Sequence, residues 1–257
     1  MPAVDKDWLE LPSAKEGEQY LVVPTYAGER NYTLFYDKSM LTPLWTAYPL
    51  NSSHIGSGRS GSWSFHPNIP QKYQVDVTEG SYSGSTYSRG HLCPNGSRSG
   101  NNSMQAQTFY VTNQVPQIQN NFNGGIWSQL ENAVRDEVSS TDEIYVVTGV
   151  AFHKEGSSVQ ETISYISPRE VPTQKVPIPN YFYKVILKVK YSGSDIVSAS
   201  TIGFWFEHKT YSGSYTNYTA SVDQIEEWTG FDFFVNLPVA LQATAETNTS
   251  WNSFSSF

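Results

Sequence analysis

The chain has a single cysteine, Cys93, so no disulfide can form within it and packing and hydrogen bonds must hold the fold. It has no run of about 18 apolar residues, the least a membrane-crossing helix needs, so no span is read. The opening stretch MPAVDKDWLELPS lacks the apolar centre of a secretory leader. A secreted or periplasmic location is the expectation if a signal peptide has been removed ahead of this start, and a cytoplasmic one if not. Positive charge is also scarce: 16 Lys and Arg stand against 24 Asp and Glu, a net charge of -8. By the usual footprint that balance speaks against a binder of polyanions, and any such affinity must come from a local cationic site.

The charge is unevenly spread. From Gly80 to Leu130 there is no Asp or Glu, yet Arg89, His91 and Arg98 lie there. Aromatics make up 14% of the 257 residues, with 17 Tyr and 13 Phe, and this composition belongs to a globular, strand-rich chain. Short β-branched and aromatic runs predict strands at Gln19–Val23, Thr33–Tyr36, Leu44–Tyr48, Ile144–Gly149, Tyr181–Val189 and Thr201–Phe206. Trp127, Leu130, Val134 and Val138 recur at helical spacing and predict a helix over Gly124–Val138. A second helix is predicted from Val222 to Trp228, with Ser221 and Gln224 as a capping box and Gly230 as its stop. The expected class is α+β, a central antiparallel sheet with flanking helices. One domain is expected over 1–257, with 1–18 and 241–257 as peripheral tails.

The chemistry concentrates in Tyr87-Ser88-Arg89-Gly90-His91-Leu92-Cys93-Pro94. On an extended chain Arg89 and His91, two residues apart, share a side. A guanidinium offers a planar fork for phosphate, and a neutral imidazole can take a proton from water near pH 7. Gly90 between them leaves room for a ligand to approach the backbone. Asn123 stands at the mouth of the first predicted helix, and its amide oxygen suits a hard cation such as Mg²⁺. One turn apart on that helix, Glu131 and Arg135 lie side by side. Each of these residues also has an ordinary structural reading, as a turn histidine, an N-cap or a solvated ion pair.

Together, Arg-Gly-His (89–91), TFYVTNQVPQ (108–117) and NGGIWSQLE (123–131) resemble, in order, the DNA/RNA non-specific endonucleases with the ββα-metal fold. The similarity extends from about Tyr36 to Pro238. It implies a ββα-metal active-site motif and metal-dependent hydrolysis of phosphodiester bonds in DNA and RNA, with 5′-phosphate products and one Mg²⁺ or Mn²⁺ ion. It implies His91 as general base, Arg89 beside it, Asn123 as direct metal ligand, and Glu131 as holder of a metal-bound water. Arg135 would lie near the scissile phosphate, and Arg59 would match an upstream phosphate-contacting arginine. Asn113 and Gln117 are candidates to brace the site. In one respect the chain departs from the family: Ser88 stands where Asp is usual, so the metal's surroundings lack that charge. Two rival readings are a related phosphodiesterase acting on another substrate and an inactive surface-binding protein. The second fits the acidic charge, but His91, Asn123, Glu131 and Arg135 at family spacing weigh against it.

Overall fold

The computed structural model describes residues 8–13, 19–22, 25–26, 29–84, 86–138 and 143–257. Along the chain the strands are Gln19–Val22 (β1), Thr25–Tyr26 (β2), Glu29–Arg30 (β3), Thr33–Asp37 (β4), Thr42–Leu50 (β5), Tyr87–His91 (β6) and Gln114–Ile118 (β7). They continue with Ile144–Ala151 (β8), Ser164–Ile166 (β9), Val176–Ile178 (β10), Tyr181–Ser192 (β11), Asp195–Glu207 (β12) and Thr219–Ala220 (β13). The helices are Asn102–Gln107 (α1), Ser128–Asp136 (α2), Val222–Thr229 (α3), Val239–Ala245 (α4) and Trp251–Ser255 (α5).

Seven strands form one antiparallel sheet in the order β1-β4-β5-β8-β11-β12-β13. Its central strands are covered on both faces, which is why β8 (IYVVTGVA) is buried along its whole length and shows no polar alternation. Alternate residues enter different cores. Val146, Phe182, Ile186, Ile202 and Phe204 pack with Trp127, Leu130 and Val134 of the α2 region on one face. Val147, Tyr183, Val185, Leu187 and Trp205 pack with Val222, Ile225, Phe231 and Phe233 on the other. Burying each large apolar side chain contributes about 1.5–3 kcal/mol, so the stripe on α2 anchors it firmly.

The α+β expectation holds, with a ββα unit on the α2 face: β6 and β7 pair antiparallel, and the chain then leads into α2. The predicted strands all exist as far as they are described, although Val23 falls outside the described residues and β12 is twice as long as the sequence pattern suggests. The first helix starts later than its apolar period predicts. Regular helix begins only at Ser128, because Gly125 lies far outside helical geometry (φ -133°, ψ -114°) and Asn121 is left-handed (φ 60°). Paired glycines favour such a break through their wide conformational freedom. The second helix matches its prediction, with the Gln224 N–H on Ser221 Oγ at 3.1 Å and Gly230 at φ 63°. Only half of the capping box forms: the Gln224 side chain accepts nothing from the Ser221 N–H, and its Nε2 donates to Glu227 at 2.7 Å.

Residues 241–257, read from sequence as a peripheral tail, hold most of α4 and all of α5, and Phe254 is fully buried in the α2-side core. Among residues 8–13, Leu9 and Leu11 are buried. No helix among the described residues is long and apolar enough to cross a membrane.

Candidate active site

The residues singled out in the sequence converge on one cleft of about 440 Å³, lined by Arg59, Trp63, Ser88, Arg89, His91, Asn123, Glu131 and Arg135 among others. Three arginines and one glutamate make it a cationic patch on an acidic chain, with Arg89 drawn from the acid-free stretch and Arg59 and Arg135 from either side of it.

The β6–β7 ribbon supplies its floor. Ser88 stands opposite Gln117, Gly90 opposite Val115, and His91 opposite Gln114. A Cβ on Gly90 would come within 2.2 Å of Gln117 Oε1 and 2.6 Å of Gln117 Cβ. Gly90 therefore makes room for the buried Gln117 side chain, not for a ligand as its position first suggests. Asn113 holds the turn after His91: its Oδ1 accepts from the Cys93 N–H (2.8 Å), and its Nδ2 donates to the carbonyls of Cys93 (3.0 Å) and Thr108 (2.9 Å). Cys93 itself is buried, and burial pushes its thiol up to about 11, which keeps it inert.

Arg89 and His91 do share a side. Both meet Trp63, the guanidinium 4.8 Å from the ring centre and the imidazole centroid also at 4.8 Å. Phe109 meets His91 edge-on at 5.1 Å, and the Arg59 guanidinium lies 4.8 Å over Phe109. Arg89 is tied by a 2.7 Å hydrogen bond to the Val77 carbonyl. Desolvation, with Arg59 and Arg89 adding to it, lowers His91 to about 3. Its Nε2 is buried and has no hydrogen-bond partner among the described residues. The imidazole is thus neutral at pH 7 with its nitrogen uncommitted.

Asn123 lies in the irregular turn before α2, and the N-cap position belongs to Trp127, so the N-cap reading of Asn123 does not hold. Its Nδ2 donates to Ser88 Oγ (2.8 Å) and Gln119 Oε1 (3.3 Å). No donor reaches its Oδ1 among the described residues. Glu131 and Arg135 project from α2 one turn apart. Burial raises the Glu131 carboxyl, while Lys184 and then Arg135 oppose that rise. Arg135 Nη1 is buried without a partner among the described residues, and its guanidinium carbon is 3.2 Å from where a side chain on Gly96 would begin. An unpaired guanidinium nitrogen in a cationic cleft is suited to an anion.

Two contributors were not legible in the sequence. Trp63 lies in a Gly/Ser-rich loop and had no periodic signal. Lys184 sits within a run of apolar residues on β11. It is fully buried beneath α2, donates to Thr148 Oγ1, and has its ammonium 5.0 Å from the Trp127 ring centre. Burial lowers it to about 8, with Glu131 opposing. The carboxylate trio Asp223, Glu226 and Glu246, close enough together to hold a metal ion, is outside this cleft, at α3 and the end of α4 on the opposite face.

A family model described as DNA/RNA non-specific endonuclease matches residues 20–240. A nuclease of Nostoc sp. is 30% identical over 243 residues, which are 92% of this chain and 81% of that protein. The mitochondrial nuclease EXOG of Xenopus laevis is 30% identical over 80% of this chain and 57% of its own length, so the chain spans little more than half of that relative. Nuclease C1 of Cunninghamella echinulata is 28% identical, with 82% of each chain covered. In fold, the chain is similar to one in the crystal structure of the EndoG/EndoGI complex, with a TM-score of 0.68, 21% identity, and 85% and 88% of the two chains covered.

Proposed function

The chain belongs to the DNA/RNA non-specific endonuclease family, and from that premise we propose that this cleft cuts the phosphodiester bond with His91 as its general base. The observation that carries the proposal is the buried, unpartnered Nε2 of an imidazole held neutral among arginines. Arg59, Arg89 and Arg135 hold the non-bridging oxygens of the scissile phosphate. His91 takes a proton from the attacking water, a new O–P bond forms, and the bond to the 3′ oxygen breaks, leaving a 5′-phosphate. Substrate also tunes the base. Arg59 and Arg89 depress His91, and a phosphodiester bound to them cancels that push, raising its basicity when it is needed.

The ligand atoms facing the cleft fit a hard divalent cation: no donor among the described residues reaches Asn123 Oδ1, and Glu131 is a carboxylate suited to hold metal-bound water. One Mg²⁺ or Mn²⁺ ion there, when bound, supplies charge neutralisation at the phosphate and the leaving oxygen. Contacts limited to phosphate and sugar carry no base information, which accounts for weak sequence preference.

The test compares parent and His91→Ala enzyme on supercoiled plasmid and on RNA in the presence of Mg²⁺. Loss of nicking by the variant is expected, as are nicks in the parent's products that DNA ligase seals, since ligase needs a 5′-phosphate. Near-normal turnover by His91→Ala, or unsealable nicks, would overturn the corresponding part of the mechanism.

A further inference from the structure

We propose that Ser88 is a positioning residue that decides which end of the Asn123 amide faces the cleft. The proposal rests on the reading of Asn123 as the direct metal ligand. A carboxamide's two ends are nearly alike in shape, so only hydrogen-bond complementarity can orient it. Ser88 has one hydroxyl proton. It goes to the carbonyl of Gln117, its partner across the β6–β7 ribbon, at 3.1 Å. A carbonyl cannot donate in return, so the proton is committed there. Toward Asn123, 2.8 Å away, Ser88 therefore presents only lone pairs, and only the Nδ2 end of the amide can meet them. The second Nδ2 proton goes to Gln119 Oε1 at 3.3 Å. Both amide protons are thus consumed, by Ser88 and by Gln119 just past the ribbon, and Oδ1 is left free of donors among the described residues. Turned over, the amide would set oxygen against the Ser88 hydroxyl oxygen and would bring N–H donors into a cleft already lined by Arg59, Arg89 and Arg135.

Ser88 then acts on metal affinity through Asn123. The experiment is calorimetric titration of Mn²⁺ into nucleic-acid-free protein, for the parent, Ser88→Ala, Ser88→Thr, Ser88→Val and Asn123→Ala. Ser88→Ala and Ser88→Val should bind Mn²⁺ roughly 10-fold more weakly, at the lower end of what outer partners of a metal site command. Ser88→Thr, which keeps the hydroxyl, should stay close to the parent. The half-maximal Mg²⁺ concentration for plasmid nicking should move with these affinities, while kcat at saturating Mg²⁺ returns toward the parent's. Thr and Val are matched in shape, so their difference isolates the hydroxyl even if the smaller alanine lowers Tm. Equal Mn²⁺ affinities for Ser88→Thr and Ser88→Val would overturn the proposal. Undiminished Mn²⁺ binding by Asn123→Ala would instead overturn the ligand assignment on which it rests.

Discussion

The two faces of the central sheet each bury carboxylates, and they treat them in opposite ways. On the α2 face, Glu131 is raised by desolvation, but Lys184 and Arg135 stand near enough to oppose the rise. On the α3 face, Glu226 is pushed up to about 7 and Glu246 to about 8, first by burial and then by neighbouring acids, with Asp223 and Asp232 common to both. No cation is among the groups that shift either of them. Burial alone thus does not mark a working carboxylate. Cations beside a desolvated acid oppose the rise that burial imposes, whereas neighbouring acids add to it.

The comparison can be broken most severely at the base that shares a cleft with the first carboxylate. His91→Ala should lose about 10²–10⁴-fold in kcat while still binding Mn²⁺, as measured by calorimetry beside a nicking assay. A parallel loss of metal binding would mean that the variant had damaged the whole cleft. Next in size is the ligand. Asn123→Ala should raise the Mg²⁺ concentration for half-maximal nicking, and exhaustive chelation with EDTA should abolish activity in the parent. Nicking that survives EDTA would remove the ion from the reaction.

A third test withdraws the cation that distinguishes the α2 face. Lys184→Met should cost about 1–3 kcal/mol in chemical denaturation at pH 7, because it removes a fully buried ammonium and leaves the half-buried Glu131 without the larger of its opposing charges. Adding Glu131→Gln should recover part of that loss. Strictly additive losses would show that the two residues do not communicate.

The smallest effect belongs to the α3 face. Glu226 and Glu246 bind protons more tightly folded than unfolded, so the stability they contribute is fully present below their ordinary 4.5 and is lost as pH rises toward about 8. The difference in Tm between parent and a Glu226→Gln/Glu246→Gln double variant should therefore be small at pH 4.5 and should grow in the variant's favour by pH 8.5. Nicking activity should not change. A Tm difference independent of pH would show that these carboxylates do not titrate as a group.

Features that depend on neighbours along the chain are legible before it folds. Short β-branched and aromatic runs placed the sheet, the Trp127–Leu130–Val134 stripe placed α2, and Ser221 with Gly230 bounded α3, because these rules act within a few residues. The ordered blocks from Arg89 to Arg135 also named most of the cleft, since each of them brings its own chemical group. The late start of α2 was partly encoded in Gly124-Gly125, but the apolar period drew the boundary too early. Residues 241–257 looked peripheral because their composition is polar, and the two side chains that dock, Trp251 and Phe254, are isolated in it. Packing alone sets Gly90 against Gln117, brings Lys184 to Glu131 and commits the Ser88 proton to Gln117. These facts turn on through-space distance, on desolvation and on where each hydrogen bond is already made. None of the three exists until strands far apart in the chain are packed against one another.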